Sequence, residues 1–231
     1  MKTYEWSIIG TGDPIESENK LEFRLLYQGE LLPCGNSNKR VPEKHAIRKS
    51  LHPQLKRLWN MQKGLRQYAS YVGAEAVGKK NEYMHSGTRD KWVGEGLEAL
   101  GKNWNRSGFN FVPLVTSDFA LRCRLDILLL RPTDEKFVLR QGDLDGHVKT
   151  IFDALRIPSD AQELGEAKPA EDENPFFCLL QDDNLISEVH VVGDQLLVLP
   201  NGREVRANDA FAVIHVQINH LGGRPFSRWF D

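Results

Sequence analysis

The alternation of apolar and polar residues predicts strands at several places along the chain. Leu21 to Tyr27 alternates as a half-buried strand does. Phe109 to Thr116 and Ala120 to Leu130 are the most strand-like segments and should lie in the interior of a sheet. Four further strands are predicted towards the end of the chain: Leu185–Val192, Gln195–Leu199, Arg203–Arg206 and Ala210–Ile218, with Pro200-Asn201-Gly202 as the hairpin turn between the middle pair.

Helical periodicity marks three further segments. After Pro42, the apolar positions of an amphipathic helix fall mostly on one face: Leu51, Leu55, Leu58, Trp59 and Leu65. A weaker helix is predicted from Arg89 to Trp104, whereas Tyr71 to Gly87 shows no period and is predicted to be a mobile connection. The best-defined helix lies within DLDGHVKTIFDAL and ends before Pro158, with one buried stripe: Val148, Ile151, Phe152 and Leu155.

This mixture of elements predicts an α/β (α+β) fold, in which a single mixed β-sheet packs against a few helices. With 231 residues, 40% hydrophobic and 27% charged, the chain has the composition of one globular domain with insertions. Ser159 to Pro175 is acidic and poor in bulky apolar residues, so we expect an exposed insertion and assign no secondary structure to it. The chain lacks the roughly 18 uninterrupted apolar residues of a membrane span. The start is too polar for a secretion signal, so we expect a cytoplasmic protein.

Charge is unevenly distributed along the chain, although the formal net charge is only -2. Residues 36–106 carry fifteen Lys and Arg against six Asp and Glu, whereas residues 140–190 carry four against twelve. The first block suits the phosphates of a nucleic acid, and the second suits metal cations. A solvated helical surface would also explain the basic block. The candidate DNA-binding residues lie on its amphipathic helix: Lys56, Arg57, Lys63 and Arg66.

Carboxylates gather around the best-defined helix. Asp143 lies just ahead of it and Asp145 in its first turn, where the positive end of the helix dipole stabilises negative charge. Lys149 is one turn further along, and Asp153 should continue the same exposed charged flank. The pair Asp182-Asp183 adds a third carboxylate if the following strand runs beside the helix. Helix capping and a simple turn would equally explain these two motifs when each is taken alone.

The spacing of these residues resembles that of the RusA family of Holliday junction resolvases. The family signature is DLDN, a lysine, DAL and then DD, and here DLDGHVKTIFDAL is followed by Asp182-Asp183 and a short apolar strand. The match spans roughly Leu121 to Ile218. The resemblance implies a RusA-like core at about 109–220 joined by the strand at 21–27, with the basic helical region at 36–106 as an elaboration.

The resemblance also implies a function. Asp143, Asp145 and Asp183 would bind Mg²⁺, with Mn²⁺ as a substitute and Asp182 as a further candidate ligand, and Lys149 would assist at the phosphate. The protein would be a homodimeric endonuclease that cuts branched DNA. The chain differs from the family in having Gly146 where the signature has asparagine, in its long segment between Leu155 and Asp182, and in its size.

Two other functions are compatible with the sequence. Asp143-Leu144-Asp145 could be the metal-binding DxD of a nucleotide-sugar transferase, although the chain has no nucleotide-binding βαβ start. Alternatively, the protein could bind nucleic acid without cutting it. His147 is predicted to face solvent on the far side of the helix from Asp145 and Lys149. Tryptophans among the basic residues could stack on bases, but amphipathic helices more often bury them: Trp59, Trp92 and Trp104.

Overall fold

The computed structural model describes residues 21–34, 40–85, 90–132, 144–199, 202 and 204–220. Its larger sheet has four strands in the order β1-β7-β4-β6: β1 (Leu21–Glu30), β4 (Leu121–Arg131), β6 (Ile186–Gln195) and β7 (Asp209–His220). β7 runs antiparallel to β1 and β4, whereas β4 and β6 run parallel. A smaller sheet has the order β2-β3-β5: β2 (Asn105–Arg106), β3 (Phe109–Val115) and β5 (Phe176–Leu180).

The predicted fold class is confirmed, but the prediction of a single sheet is wrong. The strand at Phe109 pairs with β5 in parallel and belongs to the second sheet. Both β3 and β5 are almost entirely buried. A fully apolar strand carries no alternation that would assign it to one sheet rather than another, so the sequence could not separate the two sheets.

Within the described residues, five α-helices flank the sheets: α1 (Val41–Met61), α2 (Lys63–Ala76), α3 (Lys80–His85), α4 (Val93–Asn103) and α5 (Leu144–Leu155). The predicted connection from Tyr71 to Gly87 is therefore wrong, because α2 and α3 occupy most of it. α2 and α4 approach so closely that a side chain at Gly73 or Gly96 would collide with the other helix's backbone. Small residues make this contact, and they do not produce the apolar period that identifies a helix.

One face of the larger sheet is buried beneath α1 and α5. On β4, alternate residues from Leu121 to Leu129 are almost fully buried, as are Ile151 and Leu155 of α5. The stripe predicted for the first helix is also buried at Leu51, Leu55, Trp59 and Leu65, of which the last belongs to α2. None of the described helices combines the length and hydrophobicity that crossing a bilayer requires.

The end of the chain departs from the predicted strand pattern. Among the described residues, no strand forms at 196–199 or 204–206, and residues 200, 201 and 203 lie outside the described part. β6 runs three residues beyond the predicted strand end at Val192 and ends at Gln195, where the next strand was predicted to begin. Leu197 and Val198 are adjacent and both more than half exposed, whereas Leu196 is buried. This spacing does not match the alternation of a strand, which explains why the predicted hairpin arm does not form.

Candidate functional site

The two ends of the helix α5 lie near the two ends of the strand β6. At its start, a Cβ on Gly193, near the end of β6, would lie 3.9 Å from Leu144 Cδ1. Just beyond its end, the backbone N–H of Ile157 donates to the carbonyl oxygen of Leu180 over 2.9 Å. α5 also contacts the turn that precedes β6. The helix therefore runs opposite in direction to β6.

The start of α5 is anchored to the segment that follows β1. The Cys34 N–H donates to the Gly146 carbonyl over 2.9 Å, and Thr150 Oγ1 donates to the Leu32 carbonyl over 2.9 Å. A Cβ added at Gly146 would lie 3.1 Å from Pro33 Cβ, tighter than an ordinary contact. The glycine at this position of the DLDG motif therefore allows the helix to approach the chain after β1.

Asp145 and Lys149 lie on the exposed flank of this helix start. The structure shows no hydrogen bond or ion pair between either side chain and another described residue. Both side chains remain accessible to a ligand, one turn apart, beside the helix terminus that favours negative charge. Asp143, the other predicted ligand at this end, lies outside the described residues.

His147 is not where the sequence predicted it. The side chain is only 4% exposed, and Arg131, the last residue of β4, donates from its guanidinium to His147 Nδ1 over 2.8 Å. The solvent-facing assignment is therefore wrong. A helix angle gives the direction of a side chain relative to its own helix, but not the position of Arg131 at the end of a neighbouring strand. This contact links the end of β4 to the first half of α5.

Asp153 is also not where the sequence predicted it. Its carboxylate is buried, with Lys44 Nζ at 2.6 Å and an Arg156 guanidinium nitrogen at 3.4 Å, and Arg48 donates to its backbone oxygen over 2.7 Å. The prediction that Asp153 continues an exposed charged flank is wrong. Basic residues of α1 bury it where the two helices pack.

The Asp182-Asp183 segment lies at the other end of α5. The Asp182 carboxylate accepts the backbone N–H of Asn184 over 3.0 Å and so caps a single 3₁₀ turn, Asp183–Leu185. Gln181 accepts hydrogen bonds from the backbone N–H and the hydroxyl of Ser117, over 2.9 and 3.1 Å. Asp183 is exposed. Burial lowers the pKa of Arg156, but nearby carboxylates, Asp183 among them, raise it on balance.

Asp145 and Asp183 do not converge within one copy of the chain. With 1.5 Å of rise per residue, α5 separates its two ends by about 17 Å. Among the described residues, which do not include Asp143, no three His, Cys, Asp or Glu side chains are grouped closely enough to hold a metal ion. Carboxylates are suitable ligands for Mg²⁺, but within one copy Asp145 lies at the start of α5 and Asp183 lies beyond its end. Their assignment to catalysis stays a prediction.

The acidic insertion is mostly exposed, as predicted, and ion pairs hold it against α1. Glu163 pairs with Arg156 over 2.8 Å and lies 3.6 Å from Arg48. The buried Glu173 pairs with Lys49 over 2.8 Å. The acidic block and part of the basic block therefore neutralise each other, which the counts of charge along the sequence could not show.

This pairing also affects the candidate DNA-binding residues. Lys56 Nζ donates to the backbone oxygen of Asp172 over 2.9 Å, and Arg66 forms an exposed ion pair of 2.9 Å with Asp90. Arg57 lies 3.3 Å from the sulfur of Met61, and Lys63 is exposed. Arg57, Lys63 and the exposed edge of Arg66 remain accessible to a phosphate backbone, and their role in DNA binding stays a prediction.

Comparison with known proteins gives no relative for this chain. No protein family, curated protein or solved structure matches it.

Proposed function

We propose that this protein is a Mg²⁺-dependent endonuclease of branched DNA, similar to the RusA family. The observation that carries the proposal is the contrast in the charges of α5: Asp153 is buried and ion-paired, whereas Asp145 and Lys149 are exposed without a partner among the described residues. Exposed, unpaired groups at a helix N-terminus cost little stability to keep and are available for a charged ligand. The signature-like spacing of DLDG, Lys149 and Asp182-Asp183 supports the same function.

The separation of Asp145 from Asp183 leads us to propose that each active site is shared between two copies. β6 is the last strand of the larger sheet, and most of its side chains are exposed. Such an edge presents unpaired backbone groups that can pair with an identical strand. Two β6 strands paired antiparallel would set the end of one strand beside the start of the other. Because α5 runs opposite to β6, Asp145 of one copy would then face Asp183 of the second.

In this arrangement, Asp143 and Asp145 of one copy and Asp183 of the other would hold the metal ion. Bound there, Mg²⁺ would lower the pKa of a water molecule and neutralise the charge that develops on the phosphate. Lys149, one turn from Asp145, would contact a phosphate oxygen. Asp182 is occupied as a cap, so its part is to hold the turn that presents Asp183.

The activity can be tested with a labelled four-way junction and a matched linear duplex, each incubated with Mg²⁺, Ca²⁺ or EDTA. We expect paired cuts in the junction with Mg²⁺, and binding with poor cutting in Ca²⁺, whose looser coordination positions water less well. Cutting of both DNAs would indicate a nuclease without junction specificity. Binding of the junction without cutting under any condition would contradict the proposal and favour a protein that only binds nucleic acid.

The dimer can be tested by cross-linking single cysteines on the two edge strands. A His190→Cys variant, at the centre of β6, should cross-link with a short bismaleimide into dimers. The exposed Arg24 lies on β1, the opposite edge of the same sheet, so Arg24→Cys is the matched control and should remain monomeric on a denaturing gel. Equal cross-linking of both variants would argue against pairing through β6.

A further inference from the structure

The two edge strands of the larger sheet differ in what their outer backbone groups contact. β1 pairs with β7 and β6 pairs with β4, so each has one side without a strand partner. Such an edge presents unpaired N–H and C=O groups on which another chain can add a strand. Among the described residues, the Asp194 carboxylate is the one side chain that bonds to the β6 backbone, and it accepts the Gln195 N–H at the end of the strand over 2.7 Å.

The middle of the β1 edge is closed by a side chain of α1. The Leu26 N–H donates to Gln54 Oε1 over 2.9 Å, and Gln54 Nε2 donates to the Leu26 carbonyl over 2.6 Å. Both backbone groups of Leu26 therefore point away from β7. Gln54 Nε2 also donates to the Ser50 carbonyl, one turn earlier on α1, over 3.1 Å, which holds the amide in this orientation. Because an amide has both an acceptor and donors, Gln54 satisfies the two groups that a further strand would bind.

A second contact closes the same edge near its end. In an antiparallel pair, backbone groups point towards the partner strand at every other residue and away from it at the residues between. Glu30, four residues beyond Leu26, therefore also points outwards, and its carbonyl accepts the Tyr27 hydroxyl over 2.6 Å. Burial, and next the charge of Glu30, raises the pKa of Tyr27 to about 12, so the hydroxyl stays a donor at neutral pH. Two outward-pointing residues of β1 are thus bonded within the chain.

The number of open edges decides how many copies can join through a sheet. With one open edge, two copies form a closed pair, because the second copy brings the same edge. With two open edges, each pair would keep two free strands, and further copies could add at both ends. We propose that Gln54 closes the β1 edge against β1 of a second copy, and so confines association through the larger sheet to β6. That β6 is the pairing edge rests on the proposed function, whereas the closure of β1 does not.

The test compares molecular masses in solution, without DNA. Gln54→Ala removes both bonds to Leu26, and Gln67→Ala, at a partly exposed glutamine of α2, is the matched control. Light scattering after gel filtration is measured over a range of protein concentrations, and circular dichroism confirms that both variants are folded. At the highest concentration, Gln54→Ala should reach at least about twice the mass of the wild type, because its β1 strands can pair. Gln67→Ala should keep the wild-type mass.

Cross-linking locates the new contact. Leu26→Cys places a thiol near the middle of β1, where the side chain of Leu26 is 48% exposed. A short bismaleimide should link this cysteine between copies in the Gln54→Ala background and not when Gln54 is present. Equal cross-linking in the two backgrounds would overturn the proposal, as would equal masses of Gln54→Ala and the wild type.

The outcomes also separate the closed β1 edge from the proposed dimer. A monomeric wild type with a dimeric Gln54→Ala variant would support the closed edge and contradict pairing through β6. A dimeric wild type with a Gln54→Ala variant of the same mass would do the reverse. A dimeric wild type together with larger assemblies of Gln54→Ala would support both.

Discussion

The sequence pattern places Asp145 and Asp153 on the same flank of α5, but in the structure the two side chains lie in different environments. Both are aspartates of α5, eight residues apart. Asp153 is 6% exposed and lies 2.6 Å from Lys44 Nζ, while Asp145 is exposed with no described partner. A buried, paired carboxylate contributes to the fold, because removing one member leaves an unpaired charge in the interior. An exposed, unpaired one contributes little to the fold and remains available for chemistry.

The largest effect should come from Asp145→Asn. If Asp145 is a ligand of the metal ion, its loss should lower the rate of junction cutting on the order of a thousandfold. DNA binding should persist or tighten, because a negative charge near the phosphate is removed. The melting temperature should stay within about a degree of the wild type, since Asp145 has no partner among the described residues to lose. Unchanged cutting by this variant would remove Asp145 from the site.

Lys149→Ala should have the next largest effect. If the ammonium group contacts a phosphate oxygen during the reaction, its removal should slow cutting about a hundredfold. Lys168→Ala, at an exposed lysine of the acidic insertion, serves as the control and should cut normally. The comparison is made at saturating DNA, so that the chemical rate rather than binding is measured. Equal rates for the two variants would contradict the role proposed for Lys149.

The opposite pattern is expected for Asp153→Asn. The change removes the ion pair with Lys44 and leaves Arg156 and Lys44 in a buried site with one carboxylate fewer. The free energy of unfolding, measured by urea denaturation, should fall by about 3 kcal/mol. The remaining folded protein should cut at the normal rate. A stability loss as small as that of Asp145→Asn would show that burial does not distinguish the two residues.

The sequence was informative about local elements and less so about their neighbours. α1 and α5 have clear apolar stripes, and both could be predicted from periodicity. The paired state of Asp153 and the burial of His147 could not, because they depend on Lys44 and Arg131, which are distant in sequence. The anchoring of the insertion through Glu163 and Glu173 is likewise a long-range effect.

For the candidate site, the sequence predicts a set of residue types but not their arrangement. The spacing of Asp145, Lys149 and Asp183 indicated metal-dependent chemistry. Asp145 and Asp183 lie at opposite ends of α5 because β6 runs beside this helix in the opposite direction. Local sequence patterns do not contain the relative direction of two elements.

Mixing two inactive variants tests the shared active site most directly. Asp145→Asn and Asp183→Asn are purified separately, confirmed to be inactive, unfolded together and refolded as a mixture. A heterodimer contains one site with both wild-type carboxylates, so random pairing should restore about a quarter of the wild-type nicking activity. If both carboxylates of a site came from the same copy, every site would carry a substitution. The mixture would then remain as inactive as either variant alone, which would contradict a site shared between two copies.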